Sequence, residues 1–399
     1  MSTATTIERK KTTTAPHKSA AVKVAFSAAV LIFCLANVAL TSFSKLYEPT
    51  IESAVMEPGA DTNNHTKTWS WWLARKWMEE KQAPDVVLFG SSQMGSALCA
   101  ADAQQLFQVI DSLTHRHAST MEIYLSKMLN HPVSVFSLAS PGAMCSDAFM
   151  ASKALFDKKH TPKVVVLSLA PRDFIDNTMP YPAVTEPFKF YSHYVNPGKL
   201  TAAAYLEPMS WLQLAMDSVP FRKLGNYVQT SCFVSDANST PRQTAANNAL
   251  AAVLGGGEAL PNKWLVPANI PPMWVDNSKE YLRRFKDPHP PVYKSELAFF
   301  DHFLSEMHAR GIKVLVVAMP SLPMNRQLLP ESFWTEFRRR LSTDSAQHGA
   351  QWMDLTNDPS FAKADYLDTV HLNAGGGAKL FHKLSERINS DPNLAAALH

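Results

Sequence analysis

The chain of 399 residues has only four cysteines. None stands in a C-x-x-C pair or in a Cys/His spacing that would hold zinc. Cys34 lies in an apolar run. Cys99 and Cys145 each follow an expected strand end, so a bridge between them stays open, because pairing cannot be read from sequence. Excess charge of one sign is also lacking, with 38 Lys and Arg against 35 Asp and Glu. No long basic stripe with interleaved aromatics occurs, which argues against nucleic acid as a partner. No internal repeat is present.

What the chain does have begins at its N-terminus. Residues 1–20 are rich in Thr, Ser, Ala and Lys without periodicity and are expected to be a disordered cytoplasmic tail. Val24 to Leu40 then runs almost without a polar residue, bracketed by Lys23 and Lys45. With snorkelling lysines this approaches the ~20 residues a bilayer requires, so 21–43 is read as a transmembrane helix. Arg9, Lys10, Lys11, Lys18 and Lys23 precede it and place the N-terminus in the cytoplasm. A cleaved signal peptide is the rival, but the run is long for one and no A-x-A site follows. Either reading puts the rest of the chain outside the cytoplasm, periplasmic or extracellular.

Residues 44–68 read as a polar tether. Trp69, Trp71, Trp72 and Trp77 follow on a helical segment ending near Lys81, expected to pack onto the core, with an interfacial membrane role as the alternative. After Pro84 short aliphatic runs recur: Asp85–Phe89, Val133–Leu138, Lys163–Leu169, Lys313–Met319 and Gln351–Leu355. Most are apolar through their length rather than alternating, as strands buried on both faces are. Helix candidates lie between and after them: Ala101–Ile110, Met121–Leu129, Ser146–Asp157, Lys279–Arg310, Glu331–His348 and Ala374–Ile388. Strand alternating with helix predicts a three-layer α/β/α domain around a parallel sheet. Its two parts are 69–177 and 291–399. The stretch 178–290 breaks the alternation, is rich in proline and aromatics, and reads as an insertion or lid.

Ligands of open parallel sheets bind at the carboxyl ends of the strands. The first strand is followed by Gly90-Ser91-Ser92, a turn able to present a hydroxyl. The second is followed by Ala139-Ser140-Pro141-Gly142, whose glycine lets a backbone N–H approach a substrate oxygen. The third is followed by Pro171-Arg172-Asp173-Phe174, where Arg172 offers a fixed cation or a surface ion pair. Near the C-terminus stands Asp368-Thr369-Val370-His371-Leu372-Asn373. In Asp-x-x-His the carboxylate can accept from Nδ1 and leave Nε2 as a base, and Asn373 can cap the next helix. A phosphatase-like site around Asp354 would need a second acid at the end of strand one, and none is there.

These blocks, in this order, resemble the SGNH, or GDSL-like, hydrolase superfamily. Ser92 stands at the nucleophile of its Gly-Asp-Ser block, Gly142 at its second-block glycine, and Asp368 and His371 at its final Asp-x-x-His. Arg172 falls near the Asn of its third block, a departure in the third oxyanion donor. The resemblance implies a flavodoxin-like sheet and a Ser92–His371–Asp368 triad. The Ser92 and Gly142 N–H groups, with Arg172, would form the oxyanion hole, with no cofactor or metal. Within the superfamily, the Gly-Ser-Ser-Gln turn and the apolar N-terminus resemble the membrane-anchored branch of the teichoic acid D-alanyl-transfer and alginate acetylation proteins. The likeness is greatest to a bacterial group with Pro-Arg-Asp-Phe and Asp-Thr-Val-His-Leu-Asn. That implies an esterase or O-acyltransferase acting on an acylated envelope or extracellular glycan, beside a membrane-bound O-acyltransferase partner. The non-enzyme alternative is a degenerate accessory domain that binds the polysaccharide or that partner.

Overall fold

The five aliphatic runs become five parallel strands: β1 (Val86–Phe89), β2 (Val135–Ser137), β3 (Val164–Leu169), β4 (Lys313–Ala318) and β5 (Gln351–Asp354). The computed structural model describes residues 27–36, 50–56, 68–208, 210–211, 263–264, 274–286 and 290–399. The sheet order is β2-β1-β3-β4-β5, with Val86 in register with Val135 on one side and Val164 on the other. This is the doubly wound order in which the chain reverses direction beside β1, the place where such sheets open a crevice at the strand ends. β1 and β3 are buried at every position, which is why neither alternates.

Both sheet faces are covered. Val86, Leu88, Val135, Val164, Val166, Leu315 and Val317 pack on one side. There they meet α2 (Ser92–Leu106), α3 (Ser119–Leu129), α8 (Ala374–Ser390) and α9 (Pro392–Leu398). The other face meets α1 (Trp69–Glu79), α4 (Cys145–Leu155) and α6 (Pro290–Ala309). There Trp77 is fully buried, packs edge-on against Phe136 at 5.3 Å, and donates its indole N–H to the Leu155 carbonyl at 2.9 Å. Phe89 meets Phe303 of α6 at 5.7 Å. The tryptophan segment is therefore core, as its composition predicts. Truncating Trp77 to alanine would cost about 3–5 kcal/mol.

Three local expectations are corrected, and one question left open is closed. The helix expected at Ala101–Ile110 starts at Ser92 and ends at Leu106, where Phe107 turns left-handed at φ 51°. Gly95 and Ser96 weaken helix propensity there and mask its first two turns. The expected Lys279–Arg310 helix is two, α5 (Ser278–Phe285) and α6. Pro290 and Pro291 are tolerated in the first turn of a helix but not in its interior. Within the expected tether, Ile51–Met56 is helical and buries Val55, whose carbonyl accepts from Arg75 of α1 at 2.7 Å. Cys99 and Cys145 are buried free thiols, Cys99 within the α2/α8 core and Cys145 on α4 beside Leu73 and Leu167. The sheet lies between them, so no bridge can form. Cys232 lies outside the described residues, as does most of the 178–290 insertion. α7 (Glu331–Gln347) packs through Trp334, Phe337 and Leu341.

The chain divides into two units, 1–48 with 212–236, and 49–211 with 237–399. Of the first, residues 27–36 are described; they are helical and expose Val30, Leu31, Ile32, Phe33 and Leu35. The rest of the expected 21–43 span lies outside the described residues. Among the described residues no helix is long and apolar enough to cross a membrane.

Candidate active site

The Gly90-Ser91-Ser92 turn is shaped by what lies under it. Gly90 has φ +155°, and a Cβ there would sit 1.9 Å from the Ser168 hydroxyl, which itself donates to the Phe89 carbonyl at 2.9 Å. Only glycine lets β1 leave the sheet over β3. The chain then enters α2 at once, so Ser92 occupies the first helical turn and stands at the carboxyl end of β1. First-turn N–H groups have no intrahelical acceptor, and the helix dipole there favours a developing negative charge.

His371 reaches Ser92 because α2 and α8 pack side by side. A Cβ on Gly377 would lie 2.3 Å from the Ala97 carbonyl, and one on Gly376 would lie 2.2 Å from the Asp365 carbonyl. The glycines after the Asp-x-x-His block thus allow close approach to α2 and to the preceding loop. Asn373 caps α8, its Oδ1 accepting from the Gly376 N–H at 3.1 Å. The loop between Tyr366 and Leu372 is a tight antiparallel turn, closed by a bond from the Leu367 N–H to the His371 carbonyl at 2.8 Å.

Ser92 Oγ lies 2.8 Å from His371 Nε2 across 279 positions of sequence. His371 Nδ1 lies 2.6 Å from Asp368 Oδ2. Asp368 Oδ1 accepts from the Val370 and His371 backbone N–H groups at 2.8 and 2.7 Å. Burial pushes the Asp368 carboxyl upward, but the imidazole and these two N–H donors outweigh it and hold the carboxyl below its ordinary value. A carboxylate at Asp368 keeps the proton on Nδ1 and leaves Nε2 to accept from serine. Asp368 is fully buried and the His371 side chain is 14% exposed, so the imidazole is reachable and the carboxylate is not.

Gly142 and Arg172 form a second group. Gly142 has φ +76°, and a Cβ there would lie 3.7 Å from Arg172 Nη2. Arg172 Nη1 donates to the Ala143 carbonyl at 2.9 Å and Nε donates to Asp176 Oδ2 at 3.0 Å. The guanidinium is therefore clamped along one edge with Nη2 turned toward Gly142, and it is buried rather than paired at the surface. The Gly142 loop is tied to the Gly90-Ser91-Ser92 turn by a bond from the Ser140 N–H to the Gly90 carbonyl at 3.1 Å. Arg284 also meets Asp176, whose carboxyl burial raises but the two arginines hold low overall.

Asp173 and Asp147 lie behind this turn. Burial pushes Asp173 up to about 6, against the pull of the Arg172 charge, the Ala170 N–H and the Ser91 hydroxyl. Burial likewise pushes Asp147 up to about 7, though Thr185 and the Met144 N–H bond to it. Neither was marked by the sequence, since Asp-Phe and Ser-Asp are common pairs and only burial makes these acids unusual. Asp354 is the last residue of β5, and its Oδ1 accepts from the Thr356 N–H at 3.0 Å. Among the described residues no group of His, Cys, Asp and Glu could hold a metal ion.

No protein-family model matches this chain, and no curated protein matches it. Eight solved chains match. One is from the structure reported as "The active site of a carbohydrate esterase displays divergent catalytic and non-catalytic binding functions". It shares 9% identity and a TM-score of 0.33, over 79% of this chain and 68% of that one. That likeness is too low to carry a function.

Proposed function

We propose that this protein is a serine ester hydrolase or O-acyltransferase of SGNH type, using Ser92, His371 and Asp368 on acyl esters of an envelope or extracellular polysaccharide. The observation that carries the chemistry is the continuous chain of short contacts, Ser92 Oγ to His371 Nε2 at 2.8 Å and His371 Nδ1 to Asp368 at 2.6 Å. Ser92 Oγ attacks the acyl carbonyl while His371 Nε2 takes its proton. The resulting oxyanion is met by the Ser92 and Gly142 N–H groups and by Arg172 Nη2. Collapse expels the alcohol, protonated by His371, and leaves the acyl group on Ser92. Water or a glycan hydroxyl then attacks that ester with His371 again as base, giving hydrolysis or transfer. The glycan substrate and a membrane-bound O-acyltransferase partner rest on the resemblance of the sequence blocks. An anchored, non-cytoplasmic setting rests on the apolar Val24–Leu40 run, the lysines before it, and the exposed apolar side chains from Val30 to Leu35.

A membrane-impermeant fluorophosphonate tests both halves. The purified protein should form an adduct that mass spectrometry places on Ser92 and that Ser92→Ala abolishes. Spheroplasts with intact membranes should label equally. No adduct on the purified protein would leave the accessory-domain alternative; labelling only after lysis would overturn the location.

A further inference from the structure

We propose that Asn277 is a positioning residue for the catalytic pair, holding the Asp368–His371 loop in place through Thr369. This rests on the serine-hydrolase reading above. Asp368 and His371 are bonded to each other and to their own loop, which sets their mutual geometry. It does not set where the loop stands relative to Ser92. That depends on ties to other elements, and several of them converge on Thr369, one residue after the catalytic acid.

Thr369 is fully buried, and each of its polar groups is used. Its N–H donates to Asn277 Oδ1 at 3.1 Å, and its hydroxyl donates to the same oxygen. That hydroxyl accepts from Asn325 Nδ2 at 3.3 Å, and the Thr369 carbonyl accepts from the Leu322 N–H at 3.0 Å. The segment carrying Asn277 adds two further ties. Trp274 Nε1 donates to the Asp368 carbonyl at 3.2 Å, and the Val275 N–H donates to the Leu367 carbonyl at 2.9 Å. The stretch returning from the insertion therefore lies along the catalytic loop.

The position of Asn277 makes its side chain informative. Asn277 is the N-cap of α5, where an asparagine oxygen ordinarily accepts from the first turn of its own helix. Here it makes no such bond. The neighbouring Ser278 N–H is satisfied by Asp276 Oδ1 at 2.9 Å instead. Asn277 Oδ1 is thereby left free for two donors on one loop residue, and it is 8% exposed. Among the described residues the bonds of the Asn277 side chain are those its Oδ1 accepts. The requirement is an oxygen at that point, which aspartate supplies as well and alanine does not.

The test compares Asn277→Ala and Thr369→Val with the conservative Asn277→Asp and Thr369→Ser, in the full chain. Two readouts are taken: the second-order rate of fluorophosphonate labelling at Ser92, and the downfield Nδ1–H proton resonance of His371 by NMR. Asn277→Ala and Thr369→Val should label on the order of 10- to 100-fold more slowly, the penalty of a displaced reacting group, with the resonance lost to exchange. Asn277→Asp and Thr369→Ser should restore both. If Asn277→Ala yields no folded protein, Thr369→Val and the two conservative variants decide the same question. A wild-type labelling rate and an intact resonance in the alanine and valine variants would overturn the role of Asn277. If the unaltered protein does not label, the hydrolase reading fails, while the resonance still decides whether Asn277 holds the loop.

Discussion

Asp368→Asn separates the two jobs of the buried carboxyl. Oδ1 holds the loop by accepting from the Val370 and His371 N–H groups, while Oδ2 holds the His371 ring at 2.6 Å. An asparagine keeps an oxygen for the first job. It places an NH2 opposite Nδ1, so the imidazole must take the other tautomer, with its proton on Nε2. Nε2 then donates toward Ser92 Oγ and can no longer accept from it. Loss of about 10⁴-fold in acylation is expected, or about 5.5 kcal/mol of barrier, as for a triad whose histidine is held in the wrong tautomer. Stability should fall far less, by about 1–2 kcal/mol, since a single charge-assisted bond is weakened. The pH dependence has a definite sign. Asp368 is held below its ordinary value in the folded state, so its contribution is present above the unfolded pKa and is lost as pH falls through the folded one. The wild-type advantage over Asp368→Asn should therefore be largest at neutral pH and fade on acidification. Labelling rates and urea midpoints on the same samples check each part. An Asp368→Asn protein that labels within about tenfold of wild type would refute the role assigned to Oδ2.

Three further outcomes follow from the same geometry. Gly90→Ala should destabilise by about 3 kcal/mol or more, from the clash with Ser168 and the positive φ; adding Ser168→Ala should recover part of it, measured by the denaturation midpoint. Arg172→Ala should cost about 3 kcal/mol by stripping one partner from buried Asp176, and about 10²-fold in acylation per folded molecule; an unchanged rate in the folded fraction would remove Arg172 from the oxyanion group. Asp147 has a raised folded pKa, so its contribution is full below its unfolded pKa and is lost as pH rises through about 7. Asp147→Asn should accordingly gain on wild type between about pH 4 and pH 7 by about 1 kcal/mol or more, and a parallel pH profile for the two proteins would exclude Asp147 as the titrating group.

The five strands and their parallel arrangement were legible in sequence because burial on both faces leaves an unbroken aliphatic run, a local property of each segment. The Gly-Ser-Ser turn and the Asp-x-x-His block were legible for the same reason. A strand-to-helix turn and a carboxylate three residues from an imidazole are short-range chemistry. The helix that carries Ser92 was not, because Gly95 and Ser96 lower local propensity and only packing of α2 against α8 restores the helix. Nor were the surroundings of the arginine: Arg172 with Asp176 looks like a surface pair until the fold buries both and adds Arg284 from more than a hundred positions away.

Local residue chemistry was enough to set out the alternation of strand and helix and to single out Ser92, Asp368 and His371 as candidate site residues. Packing alone brings Ser92 and His371 to 2.8 Å, through the close approach of α8 to α2 at Gly377. Only it could show that Asn277 serves Thr369 rather than its own helix. The physical reason is one of range. Propensity, capping and hydrophobic period act over a few residues, whereas a hydrogen bond between side chains far apart in the chain exists only once the helices and loops that bear them are packed.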